Sequence, residues 1–349
     1  MSGGRANSLT AFWAIVMDTW RQSRQQVVFI ILIVAMALAA IAGIVIPTSV
    51  TVDGEERFAF VWDDEPNMMM EQSWVDTYAS TLMSDEDQKL MAKIVLVESQ
   101  GRDPEVTEEQ LEQLVDRQRE AIERAVEESE GVSGARKGTE MFLVGLANGI
   151  FFLAIPLFLA ACAGYYPGLL ESGAVDIVLA KPVDRLRIFL GKFVGGLLLF
   201  GAVLAATYFL IFVGVGIKTG VWHAKLFMVM PLQLFSAAVL YAILAWLGIR
   251  TRSQTLCLVA GLVFYFVIDT VISTVMDLQK LGLFAGAGWV DSAIGWMRYL
   301  LPNFGALKQT ASISVLNIPL FEWTPIVVAG FWMVGALALG YWRFHRTDY

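Results

Sequence analysis

Residues Val27–Pro47 read VVFIILIVAMALAAIAGIVIP, an apolar run that ends at a proline. A helix of about 20 apolar residues covers about 30 Å of hydrocarbon, the thickness of a bilayer core. Because backbone polar groups in lipid must be satisfied within the protein, a single run of this length favours a helix. This stretch therefore predicts a membrane-spanning helix.

Five further stretches of similar length and polarity follow. They are Met141–Gly164, Ile188–Ile217, Leu226–Ile249, Thr255–Val275 and Pro325–Trp342. The composition agrees, because 56% of the 349 residues are hydrophobic, only 17% are charged and the mean hydropathy is +0.60. A soluble domain of this size could not bury that share of apolar side chains. We therefore predict an all-α polytopic membrane protein with six transmembrane helices.

The segment before the first span, Leu9–Gln26, interleaves large apolar residues with charged ones. Trp13 and Trp20, for example, lie among Asp18 and Arg21. This pattern predicts an amphipathic helix in the headgroup layer. A leader of this length does not resemble the short basic start of a cleaved signal peptide, so we expect the first span to be retained. Residues 1–47 are then one unit, an interfacial helix followed by a span.

The positions of the positive charges predict the orientation of the bundle. With the amino terminus inside, the cytoplasmic pieces hold eleven basic and five acidic residues, and the short outer loops hold five basic residues. Cytoplasmic loops carry an excess of lysine and arginine. We therefore expect a multi-pass protein of the inner (cytoplasmic) membrane with both termini in the cytoplasm. Interfacial tryptophan belts are expected at Trp13, Trp20 and Trp342 on the inner side and at Trp222, Trp289, Trp296 and Trp323 on the outer side.

Residues 48–140, between the first two spans, differ from the rest of the chain. They contain 24 of its 33 acidic residues and nine of its 25 basic residues, so the remainder of the chain is net positive. We predict an extracytoplasmic domain that starts with a short strand or hairpin within 49–62 and continues as helices capped at Ser84 and Thr107.

Two interpretations of this acidic insert remain open. One is a helix docked on its own small domain or on a second copy of the chain. The other is a cation site, although no Asp-rich loop with calcium-binding spacing is present. An extracytoplasmic partner could bind here.

Catalytic motifs are missing from the sequence. There is no G-x-x-x-x-G-K-[ST] loop, so the chain cannot cradle nucleotide phosphates in that way. His223 and His345 fall on predicted opposite faces of the membrane, and we expect both at the surface. We predict no catalytic residue and no metal site. Asp269 is the acidic residue predicted inside a span, where it is either a structural anchor or part of a transport path.

The connection between the second and third spans, Glu171–Lys192, reads ESGAVDIVLAKPVDRLRIFLGK. Its Ala174–Ala180 stretch predicts a short apolar helix with Asp176 exposed, ended by Lys181-Pro182. Asp184 can cap the third span. A short apolar helix facing the cytosol requires a protein partner, whereas the alternative is a tight cytoplasmic turn. Just beyond, Gly191 and Gly195 have the small-xxx-small spacing that permits close helix contact.

These features resemble the type-2 permeases of the ATP-binding-cassette (ABC) transporters. Members have six spans, an amphipathic elbow helix before the first, and a coupling helix between the second and third. The family pattern in that connection is matched by Glu171, Gly173, Ala174, Asp176, Ala180, Lys181, Pro182, Arg185, Gly191 and Lys192. Phe12–Gln26 resembles the elbow, and Tyr299–Phe304 resembles the outer segment before the last span.

The resemblance covers the chain except residues 48–140, and it departs from the pattern at Tyr165–Gly168, where many relatives carry charged residues. Among subgroups, the chain is most similar to permeases grouped with multi-copper enzyme maturation systems. The resemblance implies that residues 141–349 hold spans two to six, a coupling helix over 169–185 and an outer re-entrant or interfacial segment over 276–324. The implied ATPase-coupling residues are Glu171, Gly173, Ala174, Asp176, Lys181, Pro182, Asp184 and Arg185.

The resemblance also implies partners. A cytoplasmic ABC ATPase would bind the coupling helix, and a second permease copy, identical or related, would complete the assembly within membrane lipid. ATP and magnesium would bind to the ATPase, so this chain would bind no cofactor and would not itself be an enzyme. We expect no nucleic-acid partner. The expected function is a permease subunit, an exporter, that couples ATP hydrolysis by a separate chain to substrate movement.

Two alternatives remain open at the level of the sequence. In one, the chain passes ATP-driven motion to an extracytoplasmic partner, and no substrate crosses the membrane. In the other, it is a membrane-embedded enzyme or channel unrelated to ATP. The lack of catalytic groups argues against the enzyme, and the lack of several intramembrane charges argues against an ion path.

Overall fold

The computed structural model describes residues 8–24, 26–52, 54–62, 73, 77, 120, 132–170, 184–280, 288–316 and 323–346. Most of the acidic insert lies outside the described residues, including the helices that we predicted to be capped at Ser84 and Thr107. Residues 171–183 of the predicted coupling helix also lie outside them.

The described part begins with α1 (Ser8–Arg24) and α2 (Val27–Val45), followed by an antiparallel hairpin of β1 (Pro47–Val52) and β2 (Glu55–Phe60). The later elements are, in chain order, α3 (Gly134–Cys162), α4 (Arg185–Thr219), α5 (Val229–Thr251), α6 (Gln254–Val263), α7 (Asp269–Lys280), α8 (Gly288–Leu300), α9 (Phe304–Ile313) and α10 (Trp323–Arg346). A 3₁₀ turn, Ala224–Met228, leads into α5, and a π-helical turn, Phe264–Ile268, joins α6 to α7.

Six helical segments of this described part are long and apolar enough to cross a membrane. They are Val27–Val45, Gly134–Cys162, Arg185–Thr219, Ala224–Thr251, Gln254–Met276 and Trp323–Arg346. Each coincides with one predicted span. The prediction of a mostly helical, multi-pass membrane protein is therefore confirmed.

The bundle has two distinct ends. At one end, Arg185 at the start of α4 donates a hydrogen bond of 2.9 Å to the carbonyl of His345, close to the end of α10. Helix α1 packs against the start of α4 at this same end. We call this side the termini end, and we call the opposite side, which carries the β hairpin, the hairpin end.

The tryptophans that were expected to form interfacial belts lie on the surface of the protein. All seven are exposed: Trp13, Trp20, Trp222, Trp289, Trp296, Trp323 and Trp342. The amphipathic ring of tryptophan is enriched where hydrocarbon meets water. Their exposure is thus consistent with a bundle that crosses a bilayer.

The hairpin predicted within residues 49–62 is present. Its strands pair from Pro47 opposite Phe60 to Val52 opposite Glu55. The turn places Gly54 at a φ of 84°, a left-handed conformation that favours glycine. Phe58 is fully buried against α3, and its ring lies 5.8 Å from that of Phe142. The start of the acidic insert is therefore attached to the helix that follows the insert.

Helix α3 begins at Gly134, although its apolar stretch predicted a span from Met141. Its first turn is capped by Ser133, whose side-chain oxygen accepts a hydrogen bond of 3.3 Å from the Arg136 amide. An apolar run indicates where a helix meets lipid, whereas the cap determines where the helix starts. The helix of span two therefore begins within residues 48–140, before its apolar stretch.

Candidate functional site

Helix α1 lies in a groove on the first turns of α4. A Cβ added at Gly191 would lie 2.8 Å from Cγ2 of Ile15, and one at Gly195 would lie 3.1 Å from Cβ of Thr19. The two glycines therefore allow the helices to approach more closely than larger residues would. The predicted close-contact role of Gly191 and Gly195 is confirmed, with α1 as the partner.

Lys192 connects the same two helices by polar contacts. Its ammonium nitrogen donates a hydrogen bond of 2.7 Å to Oε1 of Gln22 and lies 3.3 Å from Oδ2 of Asp18. The lysine side chain is 6% exposed, whereas the Asp18 side chain is 69% exposed. Since a buried cation requires a bonded partner, the contact of Lys192 with Gln22 and Asp18 helps to hold α1 on α4.

Two hydroxyl side chains of α1 face the protein rather than water. Thr19 and Ser23 are fully buried, and the Ser23 hydroxyl is hydrogen-bonded to the hydroxyl of Tyr165. Trp13, Met17 and Trp20 are exposed on the other side. A helix is therefore present over the segment predicted to be amphipathic, and it presents these three side chains outward and the hydroxyls of Thr19 and Ser23 to the bundle.

Asp184 and Arg185 are the described members of the predicted coupling set. The Asp184 carboxylate accepts a hydrogen bond of 3.4 Å from the Leu186 amide and so caps α4, as predicted. Arg185 bonds the carbonyl of His345 in α10. The other members lie outside the described residues: Glu171, Gly173, Ala174, Asp176, Lys181 and Pro182.

The termini end thus brings together α1, the start of α4 and the end of α10, next to Asp184, the first described residue after the connection 171–183. Over residues 13–349, the chain matches the family described as ABC-2 family transporter protein. The chain belongs to the ABC-2 family. No curated protein matches it.

ABC-2 proteins are membrane components of ABC transporters, so membership makes this chain a permease subunit. In general it also implies an ABC ATPase partner and a dimeric permease arrangement. The matched range includes the acidic insert, residues 48–140, to which the resemblance described in the sequence analysis did not extend.

The departure from the ABC-2 pattern at Tyr165–Gly168 has a physical explanation. Tyr165 and Tyr166 are buried, and the Tyr166 hydroxyl donates a hydrogen bond of 3.0 Å to the carbonyl of Phe189 in α4. Tyr241 of α5 packs on Tyr166, with 5.9 Å between ring centroids, and its hydroxyl donates a bond of 3.2 Å to the Lys192 carbonyl. This aromatic turn joins α3, α4 and α5 immediately before the predicted coupling helix.

Asp269 is held by the start of α9. Its Oδ1 accepts hydrogen bonds of 2.8 Å from the amide of Phe304 and 3.4 Å from the amide of Gly305, the first residues of α9. The π-helical turn Phe264–Ile268 immediately precedes Asp269, and such turns are rare and frequent at functional sites. These bonds support the anchoring alternative, and a role in a transport path stays a prediction.

His223 is buried, so the prediction that it lies at the surface was wrong. Its residue is 6% exposed, and its Nδ1 lies 3.3 Å from Oε1 of Glu140, which is 2% exposed. The same Oε1 accepts a hydrogen bond of 3.0 Å from Nε of Arg136. His223 Nε2 is hydrogen-bonded to the carbonyl of Val315. We call these four residues the outer cluster.

Burial lowers the pKa of His223, whereas Glu140 and the Val315 carbonyl act in the opposite direction. Only the Arg136–Glu140 spacing of four residues could have indicated part of this cluster, because the other contacts join distant segments. Among the described residues, no group of three or more His, Cys, Asp and Glu side chains could hold a metal ion.

Proposed function

We propose that this ABC-2 permease subunit is driven by a separate ATPase that binds residues 169–185, and that it acts as an exporter in the inner membrane. The observation that carries the proposal is the junction of α1, α4 and α10 beside this connection. Helices that meet at one place can be displaced together by a partner bound there. Nothing in the chain then needs to contact ATP, because the coupling is a free-energy linkage between two sites.

The charge distribution supports a cytoplasmic termini end. Basic side chains of the described helices cluster there: Arg21, Arg185, Arg187, Lys192, Arg250, Arg252, Arg343 and Arg346. Lysine and arginine are retained preferentially on the cytoplasmic side. In this orientation both chain termini are cytoplasmic, and the acidic insert faces the extracytoplasmic space.

The proposed mechanism follows from these contacts. Two permeases, identical or related, each present their 169–185 segment to one ATPase. ATP closes the ATPase dimer and moves the two segments together. The motion reaches α4 directly through Asp184 and Arg185, and it reaches α1 through Lys192 and the glycine contacts. Helix α1 leads into span one, so the spans rearrange and move substrate outward.

Affinity purification of the full chain from native membranes tests the proposal. We expect an ABC ATPase to co-purify and the recovered complex to hydrolyse ATP. Recovery of an intact permease dimer with no nucleotide-binding chain, under conditions that preserve other ABC complexes, would overturn the proposal.

A second candidate function is transmission of motion to an extracytoplasmic partner without transport. One observation favours this candidate, because both ends of the insert are connected to α3. Phe58 of the hairpin packs beside Gly138, while α3 itself emerges from the insert and runs through to the aromatic turn. A crosslinked extracytoplasmic partner, together with a bundle that passes no substrate, would favour this candidate over export.

Two narrower assignments remain proposals. One is the similarity to permeases grouped with multi-copper enzyme maturation systems, which assigns no substrate by itself. The other is the choice between a homodimer and a heterodimer. Mass measurement of the purified complex in nanodiscs decides the second, because a homodimer contains a single permease species.

A further inference from the structure

Helices α5 and α10 run side by side in the same direction. A Cβ added at Gly330 of α10 would lie 3.9 Å from Cζ of Phe235 in α5. One added at Gly340 would lie 3.4 Å from Cα of Trp246. The two contacts follow one another in the same order along both helices and at nearly equal spacing. The helices are therefore parallel and stay in register up to the termini end.

This register brings three arginines together where the two helices end. Arg250 lies one turn beyond Trp246 on the same face of α5, so it comes level with the turn 343–346 of α10. That turn contains Arg343 and Arg346. All three arginines are exposed. The end of the groove between α5 and α10 therefore presents guanidinium groups to the surface.

Apolar side chains lie directly beside these arginines. The guanidinium carbon of Arg346 lies 4.4 Å from the centroid of the Trp342 ring, which is a cation–π contact. Trp342 is exposed, and so is Leu339 in the preceding turn of α10. Tryptophan is enriched where hydrocarbon meets water. The surface therefore combines an apolar part that faces lipid with a cationic part at the edge of the membrane.

The charge of this surface has one sign. The sequences of α5 and α10 contain no acidic residue, so neither helix offers a carboxylate to the arginines. At the neighbouring start of α4, Asp184 caps its own helix and is followed by Arg185 and Arg187. The partner that complements this surface is therefore an anion, and the adjacent apolar side chains favour one that carries hydrocarbon.

We propose that Arg250, Arg343 and Arg346 bind the phosphate of an anionic phospholipid whose acyl chains lie along the groove between α5 and α10. The planar guanidinium group matches the oxygen atoms of a phosphate. Basic pockets between membrane helices on the cytoplasmic side bind such head groups. Leu339 and Trp342 give the acyl chains an apolar surface that a free anion would not use. The inference rests on the proposed function only for the assignment of this end to the cytoplasm.

Native mass spectrometry of the full chain in detergent counts the bound lipid molecules. The chain is titrated with phosphatidylglycerol or with phosphatidylcholine of the same acyl chains. We expect the first phosphatidylglycerol to bind about tenfold more tightly than phosphatidylcholine, because the zwitterionic head group has no net charge for the arginines. This preference should fall as the ionic strength rises.

Substitutions assign the preference to the groove. Arg250→Gln with Arg346→Gln removes two of the three guanidinium groups and should weaken the binding of phosphatidylglycerol by about tenfold. Arg21→Gln with Arg187→Gln is the matched control, because it removes two exposed charges from the same end of the bundle. The control should bind within about twofold of the parent, since its arginines lie outside the groove. A parent without a lipid preference, or equal binding by the two double variants, would overturn the proposal.

Two other occupants give different results. Inorganic phosphate that binds the parent as tightly as phosphatidylglycerol would show a site for a free anion. A groove variant that binds lipid as the parent does, but no longer retains the ATPase during purification, would show a protein contact. Either result overturns the proposal. If the groove variant does not fold, Arg250→Gln alone is compared with Arg187→Gln, and equal lipid binding overturns the proposal.

The lipid titration contains no ATPase. Its failure therefore leaves the proposed permease function untouched. Conversely, a parent that recovers no ATPase from native membranes would still bind phosphatidylglycerol in this titration.

Discussion

The ammonium of Lys192 lies 2.7 Å from the side-chain oxygen of Gln22, a residue 170 positions earlier in the chain. The contact joins the amphipathic helix that precedes span one to the helix that follows the predicted coupling segment. Lys192 is nearly buried, so the contact restrains both helices. It links the termini-end elements that the proposed mechanism requires to move together.

The two partners of Lys192 should contribute unequally to the stability of the protein. Gln22→Ala removes the shorter bond and leaves a buried cation with the exposed Asp18, so we expect a loss of about 1–3 kcal/mol in stability. Asp18→Asn should cost less than about 1 kcal/mol, because an exposed ion pair contributes little. Thermal unfolding in nanodiscs measures the stability of both variants. Unfolding is detected as the reaction of the buried Cys162 and Cys257 with a thiol dye. A larger effect of Asp18→Asn would contradict this account of the contact.

The packing of the hairpin against α3 requires a glycine at position 138. A Cβ at Gly138 would lie 2.7 Å from Cγ of Phe58, so Gly138→Ala should destabilise the hairpin end by about 1–3 kcal/mol. Gly145→Ala in the same helix is the matched control, since nothing lies within 4 Å of its added Cβ. The same thermal assay compares the two. Equal stabilities would show that the hairpin does not pack against α3 as described.

Two substitutions of Asp269 separate anchoring from a role in the transport path. Asp269→Ala leaves the buried Phe304 amide without its acceptor and should cost about 1–3 kcal/mol. Asp269→Asn keeps an acceptor oxygen, so stability and ATP-driven activity should stay close to those of the parent. Normal stability of Asp269→Asn combined with lost activity would instead assign the carboxylate to the transport path.

The six spans and the hairpin could be predicted from the sequence because their signals are local. A run such as Val27–Val45 is apolar throughout, and the hairpin combines alternating residues with a glycine at its turn. The apolar stretch predicted the span from Met141 but not the start of α3 at Gly134, since the capped first turns of this helix are polar.

Contacts between distant segments could not be predicted in this way. The pairing of Lys192 with Gln22 and the burial of His223 beside Glu140 depend on how the helices pack. His223 follows Trp222 in a short connection, and this local sequence does not indicate that the histidine is buried. The family pattern includes Lys192, but it does not indicate that Gln22 is the partner of this lysine.

The central claim is that a separate ATPase acts on this chain through residues 169–185. Asp184→Arg with Arg185→Glu is a poor test of it, because Asp184 caps α4 and Arg185 bonds α10. The sharper variant is Glu171→Arg with Asp176→Arg, and Asp348→Arg near the carboxyl terminus serves as the control. Co-purification of the ATPase and its stimulation by the permease in nanodiscs are measured for all three chains. We predict that both are lost in the double variant and retained in the parent and control. Retention of both by a folded double variant would contradict the account.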